Sequence, residues 1–148
     1  MPKSSSLDML IELATGDRDE AARALGQLRV THQQAQTQLE TLEGYRDEYR
    51  RHLEEAMATG LTMSKLHNYQ RFLASLESAI DNQRRMISSS ETRVAGGVTK
   101  WQSQQRRLNS YDVLATRRRQ DAHQIAARQE QRQLDEYASR SVSALGGF

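Results

Sequence analysis

The 148 residues carry 21 basic and 19 acidic side chains for a formal charge of +2, with 36% hydrophobic and only 5% aromatic residues. Mixed charge of this kind describes a solvated surface, not a polyanion-binding one, and the apolar share is low for a compact globule of this length. Cysteine is absent, which excludes disulfides and thiolate-bound metal; no apolar run of about 18 residues exists to span a membrane, and the start lacks the apolar stretch of a secretory signal, so the chain reads as cytoplasmic.

The first predicted element is a helix over about 6–59, capped by Ser5 or Ser6 with Asp8 in its first turn. Stepping alternately by four and three from Leu7 meets Ile11, Ala14, Arg18, Ala21, Leu25, Leu28, His32, Ala35, Leu39, Leu42, Arg46, Tyr49, Leu53 and Ala56. Only Arg18, His32 and Arg46 break the apolar series, so it is a coiled-coil seam. Gly60 ends it, as glycine does at a helix C-terminus, and 60–63 is a turn. Thr62 or Ser64 then caps a second helix over about 64–140. A connection this short returns the second helix antiparallel to the first.

The second helix resumes the same step at Tyr69 and continues through Leu73, Leu76, Ile80, Gln83, Ile87, Ser90, Val94, Gly97, Trp101, Gln104, Leu108, Tyr111 and Ala115. Its seam is weakest from Gln83 to Gly97, and Gly96-Gly97 predicts a local bend, since glycine costs about 1 kcal/mol against alanine inside a helix. Folding the chain at 60–62 pairs positions whose numbers sum to about 122. Ala21 then faces Trp101, Ala35 faces Ile87 and Leu7 faces Ala115, setting small against large. His32 meets Ser90, Arg18 meets Gln104, and Arg46, opposite Leu76, extends its head past the seam. Past Ala115 the second helix continues without a partner, carrying a thin stripe of Ala122, Ile125 and Tyr137; such a helix needs a partner or frays. Residues 141–148 read as a loose tail. The fold class is therefore all-α, a long antiparallel two-helix coiled-coil hairpin in one domain, its second helix extending beyond the first.

Catalytic chemistry finds little support. No two of His32, His52, His67 and His123 stand three or four apart, as a helical metal pair requires. There is no phosphate-binding glycine loop. Carboxylates such as Asp47-Glu48 and Glu54-Glu55 lie on exposed faces, where no pocket raises a pKa. The chain is read as no enzyme, without cofactor or metal. Tyr45 and Phe72 sit one position off the seam, in neighbouring layers near the turn; they are either interface anchors or rings lying on the seam edge. The run Arg117-Arg118-Arg119 is either a solvated face or part of a nucleic-acid arm. Asp112, Asp121, Glu130 and Glu136 interrupt any basic stripe that such an arm needs.

The chain resembles the family of the flagellar export protein FliJ, from about Leu7 to Arg140. The shared pieces are Glu20-Ala21-Ala22-Arg23 with Leu25-Gly26, Gln33-Gln34-Ala35 with Gln38-Leu39, and Tyr45 with Glu48-Tyr49-Arg50. Asn68-Tyr69-Gln70 with Phe72, Leu76-Glu77 with Ala79-Ile80, Trp101, Arg107-Leu108, and Asp135-Glu136-Tyr137-Ala138 with Arg140 complete them. The resemblance implies a non-enzymatic stalk of the flagellar protein export apparatus. Such a stalk binds the export ATPase ring and the cytoplasmic domain of the export-gate membrane protein FlhA, and escorts export chaperones. It would be peripheral to the inner face of the membrane through the gate, and a seam satisfied within one chain predicts a monomer when free. It implies gate contacts at Gln38, Leu42, Tyr45, Tyr49, Phe72, Leu76, Ala79 and Gln83. The end carrying the termini would enter the ATPase ring, with Arg117, Arg118, Arg119, Ile125 and Tyr137 as contacts. The equivalent stalk of a virulence-type secretion system is the nearest alternative, and the nucleic-acid arm the more distant one.

Overall fold

A computed structural model describes residues 6–146. It contains two α-helices, α1 (Ser6–Thr59) and α2 (Met63–Leu145). They pack against each other antiparallel as the all-α coiled-coil hairpin that the alternating step of four and three predicts. Gly60 stops α1 with φ of +100°, a conformation that side-chain-bearing residues rarely adopt. Thr62, not Ser64, caps α2: its Oγ1 accepts the Lys65 amide at 3.3 Å, and its carbonyl accepts that of Leu66 at 3.0 Å.

Two compact units lie along the chain. The hinge unit is Asp19–Ser103; the terminal unit is Met1–Arg18 with Gln104–Phe148.

In the hinge unit Ala21, Leu25, Ala35, Leu76 and Ile80 are buried, Ile80 completely. The predicted register is directly visible. His32 Nδ1 and Ser90 Oγ lie 2.7 Å apart. Ser90 Oγ donates its proton to the Ile87 carbonyl at 2.7 Å, so it accepts from the imidazole N–H. Gly97 lies against Leu25 and Leu28. A Cβ there would meet Leu28 Cδ1 at 2.9 Å and Leu25 Cδ1 at 3.3 Å, so the missing side chain is space already filled from α1. Arg46 keeps its stem in the seam, 17% exposed, and turns its head to Asp47 at 3.1 Å, with Glu77 at 4.0 Å. The hydrogen bond to Asp47 holds its guanidinium above the ordinary pKa, desolvation opposing and the charges of Asp47, Glu77 and Glu43 assisting. α2 runs through Gly96-Gly97 without interruption.

In the terminal unit Leu7, Ala14 and Leu108 are buried, and Ile11, Tyr111 and Ala115 are half-buried. Every described residue after Ala115 is exposed. The loose tail expected over 141–148 is corrected in part. Ser141 to Leu145 are helical, since nothing before Gly146-Gly147 breaks a helix, and the Gly146 amide closes the last turn on the Val142 carbonyl at 2.8 Å. The remainder of that expectation, at Gly147 and Phe148, lies outside the described residues, as does a cap at Ser5.

Candidate protein-binding surfaces

Heptad letters follow from the seam: Ile11, Arg18 and Leu25 stand at a, Leu7, Ala14 and Ala21 at d, with e and g flanking the seam on its two sides. The two edges of the hinge unit differ. The e edge is tied by ions across the helices. Arg50 Nη2 reaches Glu77 Oε1 at 2.7 Å, and Arg84 Nη2 reaches Glu43 Oε1 at 3.8 Å, while Arg84 Nη1 also meets Asp81 at 3.8 Å. Exposed pairs of this kind add little stability, up to about 1 kcal/mol each; what they do is occupy one another.

The g edge holds the predicted gate residues. Gln38, Tyr45, Phe72 and Ala79 stand at g, and Leu42, Tyr49, Leu76 and Gln83 at d, so the heptad brings all eight to one side. Their exposure is graded. Tyr45 and Phe72 are 56% and 47% exposed, and Gln38 is exposed too; Leu42, Tyr49 and Ala79 are half-buried. Leu76 and Gln83 are buried at 8% and 7%. Gln83 spends its amide inside the seam: Nε2 donates to the Ala35 carbonyl at 2.9 Å and to Gln38 Oε1 at 3.2 Å. It thereby fixes Gln38 at the rim, a positioning task that its buried amide performs from below.

Tyr45 and Phe72, treated alike in the sequence, part company here. The Phe72 ring lies 4.3 Å from that of Tyr49, tilted at 45°, and Tyr49 also contacts Tyr69 at 5.1 Å. Phe72 therefore rests against the seam edge while 47% of its surface stays exposed. Among the described residues no ring contact holds Tyr45, which stands free one turn away. The ion ladder of the e edge was missed in the sequence, although Glu43, Arg50, Glu77 and Arg84 all stand at e and carry opposite signs on opposite helices.

The terminal unit offers a different surface. Arg118 and Arg119 border an open recess of about 470 Å³ with Leu7, Asp8, Ile11, Asp112 and Ala115. Arg119 Nε also donates to the Ala115 carbonyl at 3.4 Å. Arg117 borders a separate recess with Asp112, Val113, Thr116 and Gln120. The three arginines thus serve two sides of α2 and form no common basic stripe. Farther along, Ile125 and Tyr137 are 56% and 73% exposed, joined by Leu134, Val142 and Leu145, which the sequence reading passed over. A 100° step sets Leu134, Ala138 and Leu145 on one face, with Tyr137 and Val142 at its borders and Ile125 on the opposite side.

Among the described residues no three His, Cys, Asp or Glu side chains group to hold a metal ion, and no helix is long and apolar enough to cross a membrane. The family model described as Flagellar FliJ protein matches residues 3–146. The chain is 33% identical over 142 residues to the Flagellar FliJ protein of Salmonella typhi, covering 96% of this chain and 97% of that one. The same identity and coverage relate it to the Flagellar FliJ protein of Escherichia coli (strain K12).

Proposed function

The chain belongs to the flagellar FliJ protein family and so is a component of flagellar protein export; from that premise we propose that it is a non-enzymatic stalk joining the export ATPase to the export gate. The g edge of the hinge unit meets the cytoplasmic domain of the gate protein FlhA, with Tyr45 and Phe72 as anchors. The terminal unit enters the ATPase ring through Arg117, Arg118, Arg119, Ile125 and Tyr137. Export chaperones are escorted by the same protein, which is cytoplasmic, monomeric when free, and touches the membrane only through the gate. Its work supports flagellum assembly and motility.

The observation that carries this reading is the asymmetry of the hinge unit. Its e edge is engaged by ion pairs, while its g edge leaves Tyr45 and about half of Phe72 exposed. Large rings without a core to enter are the residue type that anchors interfaces. The ATPase end is supported by the run of exposed apolar side chains on a helix with nothing in its own chain to cover it.

A pull-down with the full chain from a lysate of motile cells tests the assignment. Recovery of the flagellar export ATPase is the expected result. Recovery of a virulence-system ATPase instead, or of nucleic acid alone, overturns it in favour of the corresponding alternative.

A further inference from the structure

We propose that the docking edge of the hinge unit continues past the aromatic rings into a groove over the middle of the seam, where it takes an apolar side chain and a neighbouring carboxylate from the same partner protein. This rests on the assignment of that edge to the export gate and adds to it a second subsite with a stated chemistry.

The groove encloses about 230 Å³ and has Leu28, Ala35, Met86, Ser89, Ser90 and Arg93 in its walls. Its cause is local. Ala35 and Ser90 are small d residues, so the seam narrows there, and the run Ser88-Ser89-Ser90 supplies no bulk to refill the edge. Met86, at g, stands at the lip with 58% of its surface exposed. A flexible thioether adapts its shape to whatever apolar group it meets. The groove adjoins the patch: Gln83 bonds to Gln38 on the patch and to the carbonyl of Ala35 in the groove. Ala79 and Met86 are successive g positions, about 10 Å apart along the helix.

Charge selects the occupant. The e edge holds Glu43 and Glu77, with Asp81 beside it at b, and the arginines they engage. The g side is different. From Phe72 to Lys100 the g and c positions of α2 contain no acidic residue and two basic ones, Arg93 and Lys100. The g and c positions of α1 from Ala24 to Tyr45 carry no charge. Among the described residues Arg93 makes no ion pair, and the register sets uncharged Ala24 and Thr31 across from it. An apolar trough that ends on an unengaged guanidinium complements a segment with an aliphatic or aromatic residue followed by Asp or Glu.

The test is titration of the export-gate cytoplasmic domain against the full chain and its Phe72→Ala, Ser89→Tyr and Arg93→Glu variants, each at low and high salt. Ser89 and Arg93 are exposed, so helix content and melting should match the parent. Ser89→Tyr, which fills the trough, should weaken binding several-fold. Arg93→Glu should weaken it about tenfold at low salt and flatten the salt dependence of the parent. Arg93→Gln repeats the measurement without charge reversal and should lie between the two. If Phe72→Ala weakens binding while the Ser89 and Arg93 variants bind like the parent, the groove is overturned and the docking edge stands. If the parent does not bind, or none of the variants differs from it, the edge assignment falls and the groove with it.

Discussion

Compare the two stretches of α2 on either side of Ala115. Both are helical, both are rich in Gln, Arg and Ala, and both lack internal breakers apart from Gly96-Gly97. Along the first, every seam position from Tyr69 to Ala115 is buried or half-buried. Along the second, every described residue from Thr116 onward is exposed, Ile125, Leu134 and Tyr137 among them. Helix propensity is thus not what distinguishes them; burial against α1 is. A helix draws most of its stability from packing its apolar stripe, and the distal stretch has no such packing among the described residues. The paired stretch packs its stripe on α1.

The sharpest break of this comparison is truncation. Deleting Thr116 to Phe148 should abolish binding to the ATPase ring while the hairpin stays helical, its melting temperature moving by less than about 3 °C. Circular dichroism and an ATPase-stimulation assay read the two halves of that statement. Collapse of the remaining hairpin would mean that the seam leans on the distal helix after all.

The same contrast holds for single isoleucines. Ile80 is fully buried, and Ile80→Ala should cost about 2–4 kcal/mol through lost burial and the cavity left behind. Ile125 is 56% exposed, and Ile125→Ala should change stability by less than about 0.5 kcal/mol. On the proposed function, the substitution should instead weaken ATPase binding. Chemical denaturation of the two variants measures the difference, and equal costs would erase the distinction between the stretches.

Within the hinge unit the aromatic residues grade from core to surface. Tyr49 touches two rings, and Tyr49→Ala should cost roughly 2–3 kcal/mol of stability as well as gate binding. Phe72 shares one of those contacts, so Phe72→Ala should cost about 1 kcal/mol of stability. Tyr45→Ala should cost less than about 0.5 kcal/mol. Both off-seam variants should weaken gate binding by on the order of 1–3 kcal/mol. Thermal melts beside titrations with the gate domain separate the two quantities. A strongly lowered melting point with unchanged binding for Tyr45→Ala would remove the patch.

What was legible in the sequence was the part governed by period. The four-three step located both seams, the turn and the pairing of His32 with Ser90, because burial in a two-helix hairpin is decided by position on a wheel. Less legible was what side chains do between wheel positions. Tyr45 and Phe72 have the same letter, yet only Phe72 finds Tyr49, since contact depends on rotamer and tilt. The groove beside Met86 arises from small residues on both helices at once, which neither strand of sequence announces alone. The tail read over 141–148 began too early, because Ser141 to Leu145 contain no breaker and stay helical up to Gly146.

Gly96 and Gly97 sharpen the comparison at its smallest scale, because they are adjacent residues of one helix with opposite surroundings. A Cβ at Gly96 would meet nothing within 4 Å. Gly96→Ala should therefore return the helix propensity that glycine forgoes, about 0.5–1 kcal/mol of added stability. At Gly97 the same methyl would sit 2.9 Å from Leu28 Cδ1 and 3.3 Å from Leu25 Cδ1. Those are the far ends of flexible side chains, so both can shift, but they shift out of a seam in which Leu25 is buried. The propensity gain and the repacking cost are of similar size, which leaves Gly97→Ala near neutral. Gly97→Leu removes that balance: two leucines of α1 already fill its space, so stability should fall by about 1–3 kcal/mol, as overpacking does. Thermal melts of the three variants decide it. An equal gain from alanine at both positions would mean that α1 does not approach α2 at Gly97 as closely as the register requires.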